Sequence, residues 1–276
     1  MFKHYYHSKG WCWARYCFNS FALLVLVFLI TPVLVIIPLS FNGSSFLTYP
    51  LDGISLQWYK TFFTSEAWLG ALQNSLIIAP IATLLATALG TLAAMGITRS
   101  NFRGRMLFMT IIMSPMVTPI VIVAVGIYFF FAQLNLTNSY LGLILAHTVL
   151  GLPFVVITVS ATLRGYNIYY SKAAASLGAS PFMVFRTVTF PLIAPGVISG
   201  ALFAFATSCD EIVVTLFLAS PKQHTLPMQM FSGIRENVEP TIAAAATIML
   251  ISSAGLLLTI EWIRRRNEKI RIKSNF

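Results

Sequence analysis

The stretch MLFMTIIMSPMVTPIVIVAVGIYFFFAQLNLTNSYLGLILAHTVLGLPFVVITVSATL, residues 106–163, contains no Asp, Glu, Lys or Arg. A hydrocarbon core is about 30 Å thick and a helix rises about 1.5 Å per residue, so roughly 20 apolar residues cross it once. The stretch is too long for one crossing and long enough for two. Its polar break at Gln133, Asn135, Thr137, Asn138 and Ser139 predicts a turn between two membrane helices. Pro115, Pro119 and Pro153 can bend those helices where a cavity or gate is needed, although proline is common in membrane helices. His147, alone in its apolar run, is expected to be hydrogen-bonded inside the bundle rather than to act as a ligand or proton relay.

Outward from this pair, the same ruler finds four further spans. Residues 21–39 form the first, preceded by Lys3, Lys9 and Arg15 and by aromatics (Tyr5, Tyr6, Trp11, Trp13, Tyr16) suited to an interfacial segment over 1–20. Its basic flank resembles a signal peptide, but the run is long, holds Pro32 and Pro38 and lacks a small-residue cleavage site, so it is expected to stay as an anchor. The second span is 75–97, inside a charge-free stretch of 67–98. The fifth lies in 190–220, apolar except for Asp210 and Glu211 and longer than a membrane is thick. It must be strongly tilted, broken, or followed by a buried non-helical piece. The sixth, 241–260, is closed by Glu261, Trp262 and a basic tail over 262–276 that opens with Arg264, Arg265 and Arg266.

The expected fold is an all-α integral membrane protein of six transmembrane helices, one domain over 1–276. With 57% hydrophobic and 9% charged residues, the chain has no means of hiding its apolar surface in water. The net charge of +10 does not suggest nucleic acid, because the basic residues sit in short clusters between apolar runs. If both termini are cytoplasmic, all but three of the 18 Lys and Arg (Lys60, Lys222 and Arg235) fall on the cytoplasmic side, as the positive-inside rule demands. An odd number of spans spoils that asymmetry. Cys12, Cys17 and Cys209 form no C-x-x-C pair and the four histidines are scattered, so neither a disulfide framework nor a metal site is expected. No phosphate-binding G-x-x-x-x-G-K-[ST] loop is present, and no internal repeat is evident.

Between the fourth and fifth spans, residues 163–191 read LRGYNIYYSKAAASLGASPFMVFRTVTFP. Ala173, Ala174, Ala175 and Leu177 favour helix, Gly178 can supply the positive φ that ends one, and Ser180-Pro181 is an N-cap followed by proline at the first helical position. A short helix, a sharp turn and a second helix are expected, with Pro191 restarting the chain into the membrane. A plain helical connector has the same local grammar.

This segment resembles the EAA loop of ABC importer permeases, the binding-protein-dependent (MetI-like) family. Ala173, Ala174, Gly178 and Ala179 match the spacing of that motif, and Phe190-Pro191 stands where its closing pair falls. One departure is a charge reversal, for Lys172 occupies the motif's acidic position. Elsewhere SLQWYKTFF (55–63), NFRGR (101–105) and SCDEIVVTLFLASP (208–221) look like the spermidine/putrescine branch. The resemblance implies a cytoplasmic coupling loop over 164–191, in which Lys172, Ala173, Ala174, Gly178 and Ala179 dock on an ATPase. It implies a bacterial inner-membrane subunit that works with a second, different permease, an ATPase dimer and an extracytoplasmic solute-binding protein. ATP and Mg²⁺ belong to the ATPase, so this chain is expected to bind no cofactor and to be no enzyme. The implied solute is a polyamine, with aminophosphonates or other small solutes as alternatives.

Asp210 and Glu211 are the candidates for the solute path, since a carboxylate in an apolar segment is costly and usually faces a polar cavity. A carboxylate also suits a passing ammonium group. Adjacent helical residues point about 100° apart, so only one of the two need face the path. The alternative is that both lie near the outer surface, pairing with Lys222 or Arg235 or capping a short element. A secondary transporter should show inverted repeats, and a membrane enzyme a cluster of catalytic side chains. Neither pattern is found in the sequence.

Overall fold

The computed structural model describes residues 9–100, 102–236 and 238–274. Among them the chain is helical, with a single isolated antiparallel bridge, Asn42 to Ile54. The helices are α1 Lys9–Leu39, α2 Gln57–Thr64, α3 Glu66–Arg99, α4 Arg105–Val117, α5 Ile120–Gln133, α6 Tyr140–Arg164, α7 Tyr169–Ser176, α8 Pro181–Val184, α9 Phe190–Cys209, α10 Val213–Leu218, α11 Leu226–Glu236 and α12 Thr241–Ser274. A π-helical turn, Phe185–Thr189, joins α8 to α9 without a gap.

The core is the layer formed by α3, α6 and α9. Lipid is as apolar as leucine, so helices in it associate through close packing over small residues. Here Gly90 on α3 and Gly200 on α9 flank Val155 on α6. A Cβ at Gly90 would lie 2.7 Å from the Val155 Cβ, and one at Gly200 would lie 2.8 Å from the Val155 Cα. Around them Ala86, Ala94, Val156, Val159, Ile193 and Ala204 are buried in one cluster. A second cluster joins Ile78, Ala124, Phe131, Leu143 and Leu150 to Val214 and Leu218 of α10, so the short helix is tucked among α3, α5 and α6.

Several boundaries differ from expectation. α1 is described from Lys9, so residues 9–20 of the expected interfacial segment are helical and continuous with the first span; Lys3, Tyr5 and Tyr6 lie outside the described residues. The third span is two helices, α4 and α5, bent by 111° at Thr118-Pro119. Thr118 takes extended backbone angles (φ −77°, ψ 141°) because the ring of the next proline disfavours the helical region there. Pro153, by contrast, is buried inside an unbroken α6. The polar break 133–139 is a turn, as expected, with Asn135 and Asn138 at φ 55° and Ser139 capping α6 through the Gly142 N–H. Pro191 does not restart the chain, because α8, the π turn and α9 run as one apolar rod, Pro181–Cys209. The helix α12 does not close near Glu261 but continues to Ser274.

Among the described residues four helices, Arg15–Leu39, Glu66–Arg99, Tyr140–Arg164 and Pro181–Cys209, are long and apolar enough to cross a membrane, and the bent pair α4–α5 makes five if it counts as one span. α12 is apolar over the shorter Thr241–Gly255. The expected six is therefore reached only if this shorter segment also crosses.

Candidate functional site

The candidate residues fall at the two ends of α9. Its 20 residues give a length of about 30 Å, one membrane thickness. Lys172 to Ala179 lie beyond its N-terminal end, and Asp210 and Glu211 lie at its C-terminal end.

At the N-terminal end α7 buries none of its residues. It stops in a left-handed turn at Gly178 (φ 85°), whose N–H bonds the Ala175 carbonyl at 2.9 Å while the Ala179 N–H bonds the Ala174 carbonyl at 3.3 Å. This pair of bonds satisfies carbonyls that the helix end leaves free, and glycine carries the positive φ at no steric cost. Ser180 then caps α8 by accepting from the Met183 N–H at 3.3 Å, with Pro181 at the first helical position. Leu177 is 89% exposed and Phe182 71%, with Tyr169, Tyr170 and Met183 exposed beside them. The Lys172 ammonium lies 5.4 Å from the centre of the Tyr169 ring. An apolar knob with a cation at its edge thus stands clear of the bundle.

At the other end the chain is broken. The helix α9 stops at Cys209, residues 210–212 are not helical, and α10 begins at Val213. Of the three options left open by the sequence, the structure takes the break. Freed backbone groups in an apolar setting must find partners. Glu211, 9% exposed, turns its carboxylate onto the Val214 N–H at 2.7 Å and caps α10. Asp210, next to it, is exposed and lines a groove of about 390 Å³ with Met230, Phe231 and Ile234 of α11 and Met249 of α12. The pair therefore divides its work, with one carboxylate capping the chain and the other facing outward. Arg235 stacks over Phe231 at 5.4 Å.

The break is held by a residue left off the sequence-based site. His147 on α6, 2% exposed, reaches Ser208 at the end of α9 through Nδ1 (2.8 Å) and Thr215 of α10 through Nε2 (3.2 Å). The Thr215 hydroxyl also donates to the Glu211 carbonyl at 3.4 Å. If Thr215 donates there, it accepts from Nε2–H, and Nδ1 accepts from the Ser208 hydroxyl, which is the arrangement a neutral imidazole allows. One imidazole thus staples both sides of the break to α6. Further along, Asn74 donates to the carbonyls of Lys222 and His224, both at 2.9 Å, and holds the loop after α10 against α3.

Residues 86–270 match the family of binding-protein-dependent transport system inner membrane components. The chain belongs to that family. It is a multi-pass inner-membrane transport subunit rather than an enzyme. The chain is 36% identical over 259 residues to the putrescine transport system permease protein PotI of Escherichia coli, covering 91% of this chain and 92% of that one. It is 32% identical over 250 residues to the spermidine/putrescine transport system permease protein PotC of Haemophilus influenzae, covering 90% and 96%. Its fold matches a chain in the crystal structure of a bacterial ABC transporter involved in alginate import, with a TM-score of 0.72 at 13% identity, covering 95% of this chain and 99% of the other. A second alginate transporter structure, in complex with a periplasmic protein, matches at 0.70 and 18% identity, covering 92% and 94%. The family assignment agrees with the resemblance read from the sequence.

Proposed function

We propose that this chain is one of two different permease subunits in an ATP-driven importer of polyamines, crossing the inner membrane six times with both termini cytoplasmic. In this reading α7, with Lys172, Ala173, Ala174, Gly178 and Ala179, seats in a cleft of a partner ATPase. That partner holds ATP and Mg²⁺. An extracytoplasmic binding protein delivers the solute to the opposite face. Six crossings result if α4–α5 is one bent span and α12 is another, which keeps the basic clusters on one side.

The solute class rests on one observation above the others, namely 36% identity to a putrescine permease across 91% of the chain. Asp210 is in keeping with it, since an exposed carboxylate at the end of a membrane rod accepts charge-assisted hydrogen bonds from an ammonium group. Glu211 is committed to α10, so it is assigned to the scaffold and not to the solute. The exposed knob of Leu177 and Phe182 favours the docking role of α7, because apolar side chains held out from a helical turn gain by burial against a partner.

The test is uptake of labelled spermidine and putrescine into proteoliposomes holding this chain and its co-purified partners, with and without ATP on the ATPase side. Uptake that needs both ATP and the binding protein is expected. Co-purification of an ATPase without movement of either polyamine would remove the polyamine assignment and leave the permease. Failure to bind any ATPase would remove the docking role of α7.

A further inference from the structure

We infer that Thr189, the last residue of the π turn, is the joint through which displacement of α7 reaches both α9 and α3. The inference rests on the docking role proposed for α7. Thr189 is 1% exposed. Its hydroxyl oxygen lies 3.3 Å from Ser171 Oγ on α7 and accepts from a guanidinium nitrogen of Arg99, the last residue of α3, at 3.5 Å. Ser171 is in turn hydrogen-bonded to the Tyr166 hydroxyl at 2.5 Å, and the Arg99 guanidinium sits 5.1 Å from the centre of the Tyr166 ring. The four side chains close a circuit, Arg99 to Thr189 to Ser171 to Tyr166 and back to Arg99. It joins the end of α3, the α6–α7 connection, α7 and the start of α9.

Two features mark this circuit as more than local capping. Thr158, Thr162, Thr187 and Thr207 each spend their hydroxyl on the carbonyl four residues back, and Thr83, Thr87 and Thr91 of α3 are buried with no hydrogen-bond partner among the described residues. Thr189 instead reaches across to α7 and α3. The turn that carries it is also the wide one in the rod. The Phe190 N–H bonds the Phe185 carbonyl five residues back, just ahead of Pro191, which has no N–H to give. An extra residue in a helical turn rotates every later side chain of the rod by about 100° and is a recurrent feature of functional sites. Here the rod stays continuous, so a push on α7 at Ser171 is carried along α9 toward Asp210, while Arg99 takes the same push to α3. Thr189 acts as a positioning residue, touching neither nucleotide nor solute.

The experiment uses the whole transporter in proteoliposomes and reads the amount of solute imported per ATP hydrolysed. Thr189→Val keeps the side-chain shape and removes the hydroxyl, whereas Thr189→Ser keeps the hydroxyl. Thr189→Val is expected to co-purify with its ATPase as the unaltered chain does and still to hydrolyse ATP. It should import about fivefold less solute per ATP, the scale of one net hydrogen bond. Thr189→Ser should return the ratio to within about twofold on the same scale. An unchanged ratio in Thr189→Val overturns the inference, and so does a parallel fall of hydrolysis and uptake, which marks a merely structural residue. Should Thr189→Val fail to assemble, the ratio is read from Tyr166→Phe combined with Ser171→Ala, which leave α9 untouched; an unchanged ratio there also overturns it. If the unaltered chain binds no ATPase, the docking role falls first, and that outcome is separate from any effect of Thr189.

Discussion

The two ends of α9 depart from regular helix in opposite ways. Near α7 the chain widens into a π turn at Phe185–Thr189 but stays continuous, whereas at Asp210 it breaks outright. A widened turn keeps its backbone bonds and so remains stiff. A break leaves peptide groups that apolar surroundings cannot satisfy, and Glu211, His147 and Thr215 are recruited to hold it. The difference shows that one rod can serve two purposes. Continuity at one end suits the passage of movement, and discontinuity at the other exposes a carboxylate.

That contrast can be broken most sharply at Asp210. Asp210→Asn should cut uptake of a cationic solute about tenfold below saturation, the scale of one charge-assisted hydrogen bond, with expression little changed. Unchanged uptake kinetics would take Asp210 off the path. Glu211→Leu should act in the reverse sense, lowering thermal stability in detergent by about 1–2 kcal/mol through the lost cap of α10. Glu211→Gln, which still offers an oxygen to the Val214 N–H, should recover most of that loss. If the Gln variant instead abolished uptake while remaining stable, the division of work between the two carboxylates would be wrong.

His147→Leu should cost about 1 kcal/mol by leaving Ser208 and Thr215 without their shared partner, read as a lower melting temperature. A melting temperature that does not move would mean the break holds itself. The smallest effect belongs to Lys172. Its ammonium is exposed beside Tyr169, so Lys172→Glu should leave folding alone and change transport-linked ATP hydrolysis about twofold, as expected for a surface charge at an interface. No change in hydrolysis with the chain's own ATPase would show that the charge reversal at this position has no part in coupling.

Much of this was legible in the residues because local rules act over short distances. The turn at 133–139, the stop at Gly178 and the cap at Ser180-Pro181 each depend on a few neighbouring residues, and all three stand in the structure. Boundaries set by packing were less legible. Pro191 looked like a restart because proline interrupts a regular helix, yet the π turn ahead of it lets the rod run through. Pro119 and Pro153 look equivalent in the sequence, yet one marks a 111° bend and the other is absorbed in α6.

Apolar length and charge placement, properties of the chain alone, determined that this protein lives in a membrane, where its turns fall and which two acids stand out. Whether those acids act alike, which helix holds the break and what meets at Thr189 depended on residues far apart in sequence. His147 is 61 residues from Ser208, and Arg99 is 90 from Thr189. No local spacing pairs such residues. Only the packing of α3, α6 and α9 around small side chains brings them within hydrogen-bonding reach, and in that apolar interior a polar group gains from a partner that the fold places beside it.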